Sequence, residues 1–365
     1  SVLAGAQWYT HRLNFRPNLR NKLARLQQLM ALRRIRKKTT ESVQVPEARS
    51  AHSATISRLA TAARRIDADL YIGHTVAGLA AAAWAAQRTG RVFAFDAEDF
   101  HTGETDAILN DRAQLTAIQV LEKKLLPQAA YLTAAAPLIA EAYFNSYDLT
   151  APPVTVLNVF PRAFSPAAQV APIEDGVFRF YWFSQTIGPE RGLEQVLEVL
   201  LHLNMPVELN LRGNPIDSFV DVLRARLTKS NKPDIKLKIH PPAPPNEMSR
   251  LAASYDLGIA CELSTPPNHD ICLANKIFTY LLAGLPYLYT PTSGQTAIAP
   301  EIGRAAIGID PVKVASSARK LELWWGNVAE RDAARETAWK LGQTRFNWDF
   351  EQQIFLKQVE LSLVS

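Results

Sequence analysis

The stretch DLGIACELSTPPNHDICLANKIFTYLLAGLPYLYTP, residues 256–291, predicts a strand, a loop, a helix and a second strand in close succession. Leu257–Cys261 is a short apolar run of the kind that forms a buried parallel strand. The polar loop after it contains two prolines, which disfavour helix. A helical period begins near Leu273 and ends at Gly284, a glycine suited to a C-cap, and the strand Leu285–Tyr289 follows.

The order of these elements places Asn275 and Lys276 in the first turn of a helix, just beyond the carboxyl end of a parallel strand. Open α/β sheets bind ligands at this edge. The helix N-terminus offers unpaired N–H groups and a partial positive charge, to which Lys276 adds a full charge. The pattern therefore favours an anionic ligand, and a diphosphate is the anion that fits it. The alternative from the residues alone is an ordinary buried helix with a solvated lysine near its start.

The run NKIFTYLLAGLPYLYT, residues 275–290, resembles the donor-site helix of GT-B glycosyltransferases, especially the retaining, nucleotide-sugar-dependent enzymes of family 4. The likeness is close over this helix and looser from about Asp69 to Gln353. It implies donor contacts from Asn275 and Lys276. It also implies a ribose contact at Thr279, where the family usually has a glutamate, and a hydroxyl would make that hydrogen bond without charge assistance.

The loop that begins at Ser184 resembles the donor-phosphate loop of the same family. Arg191 matches one of its basic positions, and Gln185 with Thr186 stands where the family has a Gly-Arg pair. The resemblance thus implies donor contacts from Ser184, Gln185 and Arg191. An arginine suits this position because its guanidinium can bind a phosphate through two parallel hydrogen bonds.

Two further residues belong to the predicted donor site. Gly213 ends the next strand and matches the family's glycine at that turn, which indicates a backbone requirement. Glu262 ends the strand before the donor helix and is expected to contact sugar hydroxyls or ribose. An acidic strand cap is the alternative for Glu262.

The alternation of strands and helices predicts an α/β chain with two Rossmann-like, doubly wound parallel sheets, the GT-B arrangement. The predicted first domain covers residues 1–160, a linker 161–176, the nucleotide-sugar domain 177–342, and a helix that crosses back to the first domain 343–365. Residues 39–53 are predicted to be a polar linker inside the first domain. That domain shows four strands and no counterpart of the family's first strand and glycine-rich loop, so we expect it to be incomplete and the chain to be a fragment.

The sequence FDAEDFHTGE, residues 95–104, places four carboxylates and a histidine directly after a predicted strand. Asp96 and Glu98, together with His74 at the end of the preceding strand, are the candidate catalytic residues. Crowded like charges raise some pKa values and leave a group able to exchange protons. For His74, a purely structural role is the alternative.

Three interpretations of the acidic sequence remain open from its residues. It could bind a divalent metal and a nucleotide diphosphate, as in GT-A enzymes. It resembles the GT-B loop that faces the interdomain cleft, where acceptor and sugar meet without a metal. It could also be a solvated acidic loop that caps a helix beginning near Asp106. The donor pattern in the second half favours the second interpretation, so we predict no metal and no cofactor.

Composition describes a globular chain of 365 residues, of which 47% are apolar and 21% charged. Two cysteines do not make a disulfide framework, which predicts a reducing, cytoplasmic compartment. The net charge of +5 is unevenly distributed, because residues 1–40 contain ten Lys or Arg and no Asp or Glu. Subtracting these ten from the 40 basic residues leaves 30 against 35 acidic ones, a net charge of −5 for the rest.

A basic helix is predicted from Leu19 to Lys38, with apolar residues along one side. Residues 12–38 are therefore a candidate contact with an anionic membrane surface, such as the inner face of the plasma membrane. A solvated basic helix that packs its leucines on the domain is the alternative. Nucleic acid is not predicted as a partner, because the segment has neither interleaved aromatic residues nor a nucleic-acid motif.

These patterns together predict a metal-independent glycosyltransferase that moves a sugar from a nucleotide-sugar donor to a hydroxyl acceptor. The acceptor is expected to be a glycan or glycolipid of cell-surface polysaccharide or glycolipid synthesis. A GT-B nucleotide-sugar epimerase is one alternative. A catalytically inactive GT-B scaffold is the other, and Thr279 and the altered Gln185-Thr186 pair motivate it.

Overall fold

The computed structural model of the chain describes Thr10 and residues 12–13, 18–104 and 111–364. The chain divides into two compact units. The first is drawn from residues 1–134, 139–155 and 357–365, and the second from residues 135–138 and 156–356. Each unit has its own parallel sheet, of four strands in the first and six in the second, which confirms the predicted α/β class.

The first part of the chain alternates helices and parallel strands. Its elements are α1 (Leu19–Ile35), α2 (Val45–His52), α3 (Ile56–Ala63), β1 (Leu70–His74), α4 (Thr75–Thr89), β2 (Val92–Ala97), α5 (Arg112–Leu125), β3 (Leu132–Ala134), α6 (Pro137–Ser146) and β4 (Val154–Thr155). The strands pair in chain order, β1-β2-β3-β4. The predicted helix start near Asp106 lies outside the described residues, and α5 is capped by the Asp111 side chain, which accepts hydrogen bonds from the backbone N–H groups of Ala113 and Gln114.

The prediction of a polar linker over residues 39–53 is wrong, since most of that stretch is α2. Glu47 closes the helix start by accepting a hydrogen bond from the Gln44 backbone N–H at 3.3 Å. Pro46 lies in the first turn, where a missing N–H is tolerated. Ala48 and Ala51 are completely buried. A polar stretch therefore becomes a helix because two alanines supply a narrow face for packing.

The second unit contains the doubly wound sheet. Its elements are β5 (Phe178–Ile187), α7 (Leu193–Leu200), β6 (Val207–Pro215), α8 (Asp217–Ser230), β7 (Ile235–His240), α9 (Met248–Ala252), β8 (Leu257–Ala260), α10 (Pro267–Ile271), α11 (Asn275–Ala283), β9 (Tyr287–Tyr289), α12 (Ser293–Ile302), β10 (Ala306–Gly308), α13 (Val314–Gly326), α14 (Val328–Thr344) and α15 (Trp348–Val364). The strand order is β10-β9-β8-β5-β6-β7. The order reverses between β8 and β5, the kind of position where open α/β sheets bind ligands.

Four local predictions for the second unit are wrong. β5 continues to Ile187 through a register shift, where the prediction ended it at Phe183. The loop after β8 contains the short helix α10, because Pro267 occupies its first turn, where proline is tolerated. The strand β10 and the helix before it had no prediction, and a three-residue edge strand is too short to show a period. The helix after β5 begins at Leu193 rather than near Glu190.

The core of the second unit is built on β5. Its residues Phe178, Phe180, Tyr181 and Trp182 are completely buried, so both faces of the strand are covered. Among the described residues, no helix combines the length and the apolar character needed to cross a bilayer.

Candidate functional site

The first unit brings together the three predicted catalytic residues at the carboxyl edge of its sheet. His74 is the last residue of β1, and its register partner on β2 is Asp96. The His74 Nδ1 atom lies 3.2 Å from Asp96 Oδ2 and 3.7 Å from Glu98 Oε1. The side chains of His74 and Glu98 are about half exposed, at 52% and 53%, while Asp96 is only 23% exposed. The sheet register thus joins one shielded carboxylate to an accessible imidazole.

Thr133 is a fourth member of this group, which the sequence analysis missed. It is the register partner of Asp96 on β3, and its hydroxyl donates to Asp96 Oδ1 at 2.7 Å. Thr133 is completely buried. One polar residue from each of three neighbouring strands therefore forms a row, His74–Asp96–Thr133. The available signal was a polar residue at the end of an otherwise apolar strand.

The hydrogen bonds of the row set its protonation. The hydrogen bond to Asp96 raises the pKa of His74 above its ordinary value, against burial, and the charges of Asp96 and Glu98 add to the effect. For Asp96, burial alone would raise the pKa, but the hydrogen bonds from His74 and Thr133 outweigh it and hold the pKa below the ordinary value. Asp96 is thus an ionised carboxylate at neutral pH that stabilises a proton on His74. A pair of this kind can accept a proton from a hydroxyl group and hold it.

The same three side chains are spaced so that they could hold a cation. One ligand atom each from His74, Asp96 and Glu98 lies within 4.8 Å of the others. A metal would need the lone pair of His74 Nδ1, the atom that faces Asp96. Proton exchange and metal binding at that nitrogen therefore exclude one another.

The remaining groups of the acidic sequence do not join this cluster. His101 is buried, with 5% of its surface exposed, and its Nδ1 lies 2.7 Å from the Tyr143 hydroxyl and 3.3 Å from Glu122 Oε1. Glu122, on α5, is completely buried and also accepts hydrogen bonds from the hydroxyls of Tyr143 and Tyr147. The prediction that all these groups crowd at one edge is therefore wrong for His101, because α5 and α6 offer it a buried carboxylate and two phenols.

This buried network anchors the acidic loop. Burial by itself lowers the pKa of His101, but the hydrogen bond to Glu122 and the charge of that carboxylate outweigh it and hold the pKa above its ordinary value. The Tyr143 hydroxyl also lies 3.1 Å from the backbone oxygen of Asp99. An ion pair, two phenols and a loop carbonyl thus fix the backbone that follows Asp96 and Glu98.

The second unit joins three predicted donor residues into a compact charged cluster. The Lys276 Nζ atom lies 3.2 Å from Glu262 Oε1, and Arg191 lies 3.8 Å from Glu262 Oε2. The side chains of Glu262 and Lys276 are 7% and 11% exposed, whereas Arg191 is 44% exposed. Two cations on one carboxylate leave a net positive charge at the carboxyl edge of the sheet. In these contacts Glu262 holds the two cations in place.

Backbone geometry brings the two cations to the same carboxylate. Gly192 has a φ of +74°, and a Cβ there would lie 3.3 Å from Cys261 Cβ, so the loop of Arg191 packs directly against the end of β8. The Cys261 thiol donates to the Arg191 carbonyl at 2.9 Å. Burial, helped by Glu262, raises the pKa of Cys261 to about 12, which keeps the thiol protonated for this role.

Gly213 meets a backbone requirement beside the end of β5. Its φ is +151°, and a Cβ there would lie 2.3 Å from the Ser184 carbonyl oxygen. The approach coincides with the register shift in β5, which leaves Ser184 half-buried and Gln185 exposed at the sheet edge. The Gln185 carbonyl accepts a hydrogen bond from the Asn214 side chain at 3.1 Å.

The start of α11 is open to solvent. Asn275 is the first helical residue and is exposed, and the residue before it, Ala274, has no side chain to cap the helix. Thr279 lies deeper, with 2% of its surface exposed, and its hydroxyl donates to the Asn275 carbonyl at 3.3 Å. The hydroxyl of Thr279 is thus already used within the helix, and its contact with a ribose stays a prediction.

Two more residues of this cluster were missed by sequence reasoning. The Thr290 hydroxyl accepts from the Glu262 backbone N–H at 2.9 Å and lies 2.7 Å from the Glu262 carbonyl oxygen, to which it donates. The ring centroid of Trp182 lies 5.5 Å from Lys276 Nζ, close enough for a cation–π interaction. Both residues lie on neighbouring strands, and nothing in their local sequence reveals the neighbour.

Solved structures share this architecture. The Anabaena protein HepE in complex with UDP is 14% identical, with a TM-score of 0.66 over 84% of this chain and 81% of that chain. The sucrose-phosphate synthase from Thermosynechococcus elongatus is 11% identical, with a TM-score of 0.65 over 87% and 79%. The chain has the GT-B fold. A UDP-forming trehalose-phosphate synthase from Burkholderia xenovorans, 13% identical, also matches, with a TM-score of 0.62 over 86% and 79%.

No protein-family model matches the chain, and no curated protein matches it by sequence. The likeness to the solved structures therefore establishes the GT-B fold, and function has to be argued from the residues of this chain. In this GT-B chain, the charged cluster of Glu262, Lys276 and Arg191 lies at the carboxyl edge of the second sheet, and the row His74–Asp96–Thr133 lies at that of the first.

Proposed function

We propose that the protein is a retaining, metal-independent glycosyltransferase that moves a sugar from a nucleotide-sugar donor to a hydroxyl acceptor. The observation that carries the proposal is the convergence of Lys276 and Arg191 on Glu262 beside the uncapped start of α11. A leaving diphosphate accumulates negative charge as the sugar departs, and fixed positive groups stabilise that charge without a metal.

The donor diphosphate binds between the exposed guanidinium of Arg191 and the first turn of α11. Lys276 is positioned by Glu262 so that its charge faces the same anion. Ser184, Gln185 and Asn275 supply neutral hydrogen-bond donors at the edge of the site, and Gly213 allows the backbone of β5 to approach. HepE was crystallised with UDP-glucose, which makes UDP-glucose the first donor to test.

The row His74–Asp96–Thr133 of the first unit serves the transfer. Ionised Asp96 keeps a proton on His74, and Glu98 lies within 3.7 Å of the same imidazole. Removal of the acceptor hydroxyl proton and stabilisation of the positive charge that develops on the sugar are both within the reach of such groups.

Binding and turnover separate these two assignments. Arg191→Ala and Lys276→Ala should weaken UDP-glucose binding about tenfold or more, measured by calorimetry, because each removes a charge-assisted contact. Lys236→Ala, which removes an exposed lysine of β7, is the matched control. Wild-type affinity in both site variants would refute the donor site.

Asp96→Asn should lower turnover about a hundredfold while leaving UDP-glucose affinity unchanged. The control is Asp67→Asn, since Asp67 is 98% exposed. Turnover that is abolished by EDTA and restored by Mn²⁺ would refute the metal-independent mechanism.

We further propose that α1 contacts an anionic membrane surface, where a lipid-borne acceptor would be found. One face of α1 packs inward through Gln28, Ala31 and Ile35. The opposite face exposes apolar side chains to between 41% and 80%: Leu19, Leu23, Leu26, Leu29 and Met30. Lys22, Arg33 and Lys37 are exposed around the same face, and cations beside an apolar stripe suit an anionic lipid surface.

A catalytically inactive scaffold that binds nucleotide sugars is the second candidate, and one observation favours it. The Thr279 hydroxyl is used within its own helix, so the usual charged ribose ligand has no substitute at this position. Tight UDP-glucose binding without transfer or hydrolysis, across a panel of sugar and lipid acceptors, would favour the scaffold over the enzyme.

A further inference from the structure

The first unit contains a cavity of about 650 Å³ at the end of its sheet opposite to the row His74–Asp96–Thr133. The cavity is lined by Val92 and Phe93, the first residues of β2, whereas Asp96 lies near the end of that strand. Four residues of extended strand separate Val92 from Asp96 by about 13 Å. The cavity, named here the Arg49 pocket, is therefore separate from the proposed catalytic groups.

The Arg49 pocket is strongly positive. The described residues that line it include Arg49, Arg88 and Arg91 and no Asp or Glu. Arg91 is neutralised by Asp69 at 3.0 Å and Asp67 at 3.6 Å. Arg49 and Arg88 form no ion pair within the described part of the chain. Two guanidinium groups without a counter-charge thus share one cavity.

Arg49 is held in place without being satisfied. Its guanidinium carbon lies 3.9 Å from the centroid of the Trp84 ring, so the planar group stacks on the indole. Its Nε–H is buried and has no hydrogen-bond partner among the described residues. Burial, and then the charge of Arg88, hold the pKa of Arg49 below its ordinary value, although arginine stays charged at any physiological pH. A buried donor without an acceptor is uncommon in folded proteins and calls for an explanation.

The other walls of the Arg49 pocket are apolar or neutral. Ala80, Ala83, Val92 and Phe93 line one part, and Gln87 and Gln128 add neutral polar groups. The volume falls within the range of pockets that enclose small organic ligands. An apolar wall beside two uncompensated guanidinium groups suits a compound with one anionic end and an organic body.

We propose that the Arg49 pocket binds a phosphate-bearing compound, with its phosphate on Arg49 and Arg88 and its organic part against Trp84 and the apolar wall. Phosphate oxygens match the paired N–H groups of a guanidinium, and a phosphate with two negative charges would neutralise both arginines. A soluble phosphate ester and the headgroup of a lipid share this chemistry.

The test uses the full chain with three probes: inorganic phosphate, glycerol 3-phosphate and monomeric dihexanoyl phosphatidic acid. Calorimetry and tryptophan fluorescence should show saturable binding of at least one probe. Arg49→Gln and Arg88→Gln should each weaken it at least tenfold, and Arg65→Gln, which removes an exposed arginine at the end of α3, should not change it. Arg88 is exposed, so its substitution leaves the fold intact.

The donor site could also bind phosphate, and a cross-test separates the two sites. Probe binding at the Arg49 pocket should persist in Lys276→Ala, whereas UDP binding should persist in Arg49→Gln. Binding of glycerol 3-phosphate would identify a soluble ester as the ligand type, and binding of the phosphatidic acid alone a lipid headgroup. Absence of saturable binding by all three probes, or binding that survives both arginine substitutions, would overturn the proposal, whether or not the protein transfers sugars.

Discussion

Removing Lys276 should destabilise the second unit through the carboxylate that it leaves behind. Glu262 is 7% exposed, and Lys276 Nζ is its nearest cation, at 3.2 Å. In Lys276→Met the carboxylate keeps only Arg191, at 3.8 Å on a side chain that is 44% exposed. Breaking a buried ion pair costs about 3–5 kcal/mol, and the remaining arginine places the expected loss near about 3 kcal/mol.

The double variant Lys276→Met with Glu262→Gln identifies the cause. It leaves no uncompensated buried charge, so its stability should return to within about 1 kcal/mol of the parent. Urea unfolding is a suitable assay: with a slope of about 2 kcal/mol per molar, the single variant shifts the transition of the second unit by about 1.5 M. The coupling energy between the two substitutions should be about 2 kcal/mol.

Ligand binding should not follow stability in this series. UDP-glucose affinity should fall about tenfold or more in Lys276→Met and stay low in the double variant, because the cation is missing from both. A double variant less stable than Lys276→Met would refute the uncompensated carboxylate as the cause. A double variant that binds UDP-glucose like the parent would refute Lys276 as a donor ligand.

Three further predictions concern the first unit. Because the pKa of His101 is raised in the folded state, its contribution to stability is complete below the unfolded pKa of about 6.5 and is lost as pH rises through the folded pKa; urea midpoints from pH 6 to 9 should therefore fall, and fall less in Glu122→Gln. Asp96→Asn should lower the pKa of His74 towards its ordinary value, which NMR titration would detect, and an unchanged pKa would contradict the proposed pair. Leu23→Asp with Leu26→Asp should abolish salt-sensitive binding to vesicles containing phosphatidylglycerol, whereas Leu363→Asp should not; equal binding by all variants would exclude the exposed face of α1 as the contact.

Several features of the candidate sites could be predicted from short stretches of sequence. The apolar run before Glu262 and the helical period after Leu273 place Lys276 at the carboxyl edge of a parallel sheet, and the structure has it there. Asp96 and His74 end their strands on the same reasoning. Such predictions succeed because strand and helix periods, glycine caps and the direction of parallel strands are properties of a continuous segment.

The partners of these residues were decided by the tertiary structure. Thr133 reaches Asp96 only because β3 lies beside β2 in this register, and Glu262 holds both cations only because Gly192 lets the Arg191 loop pack on the end of β8. His101 leaves the acidic group for Glu122, a contact that depends on α5. The leucines of α1 look the same in sequence whether buried or exposed. Sequence by itself determined which residues reach the edges of the sheets, and tertiary packing decided their neighbours, because strand order and register depend on contacts between segments far apart in the chain.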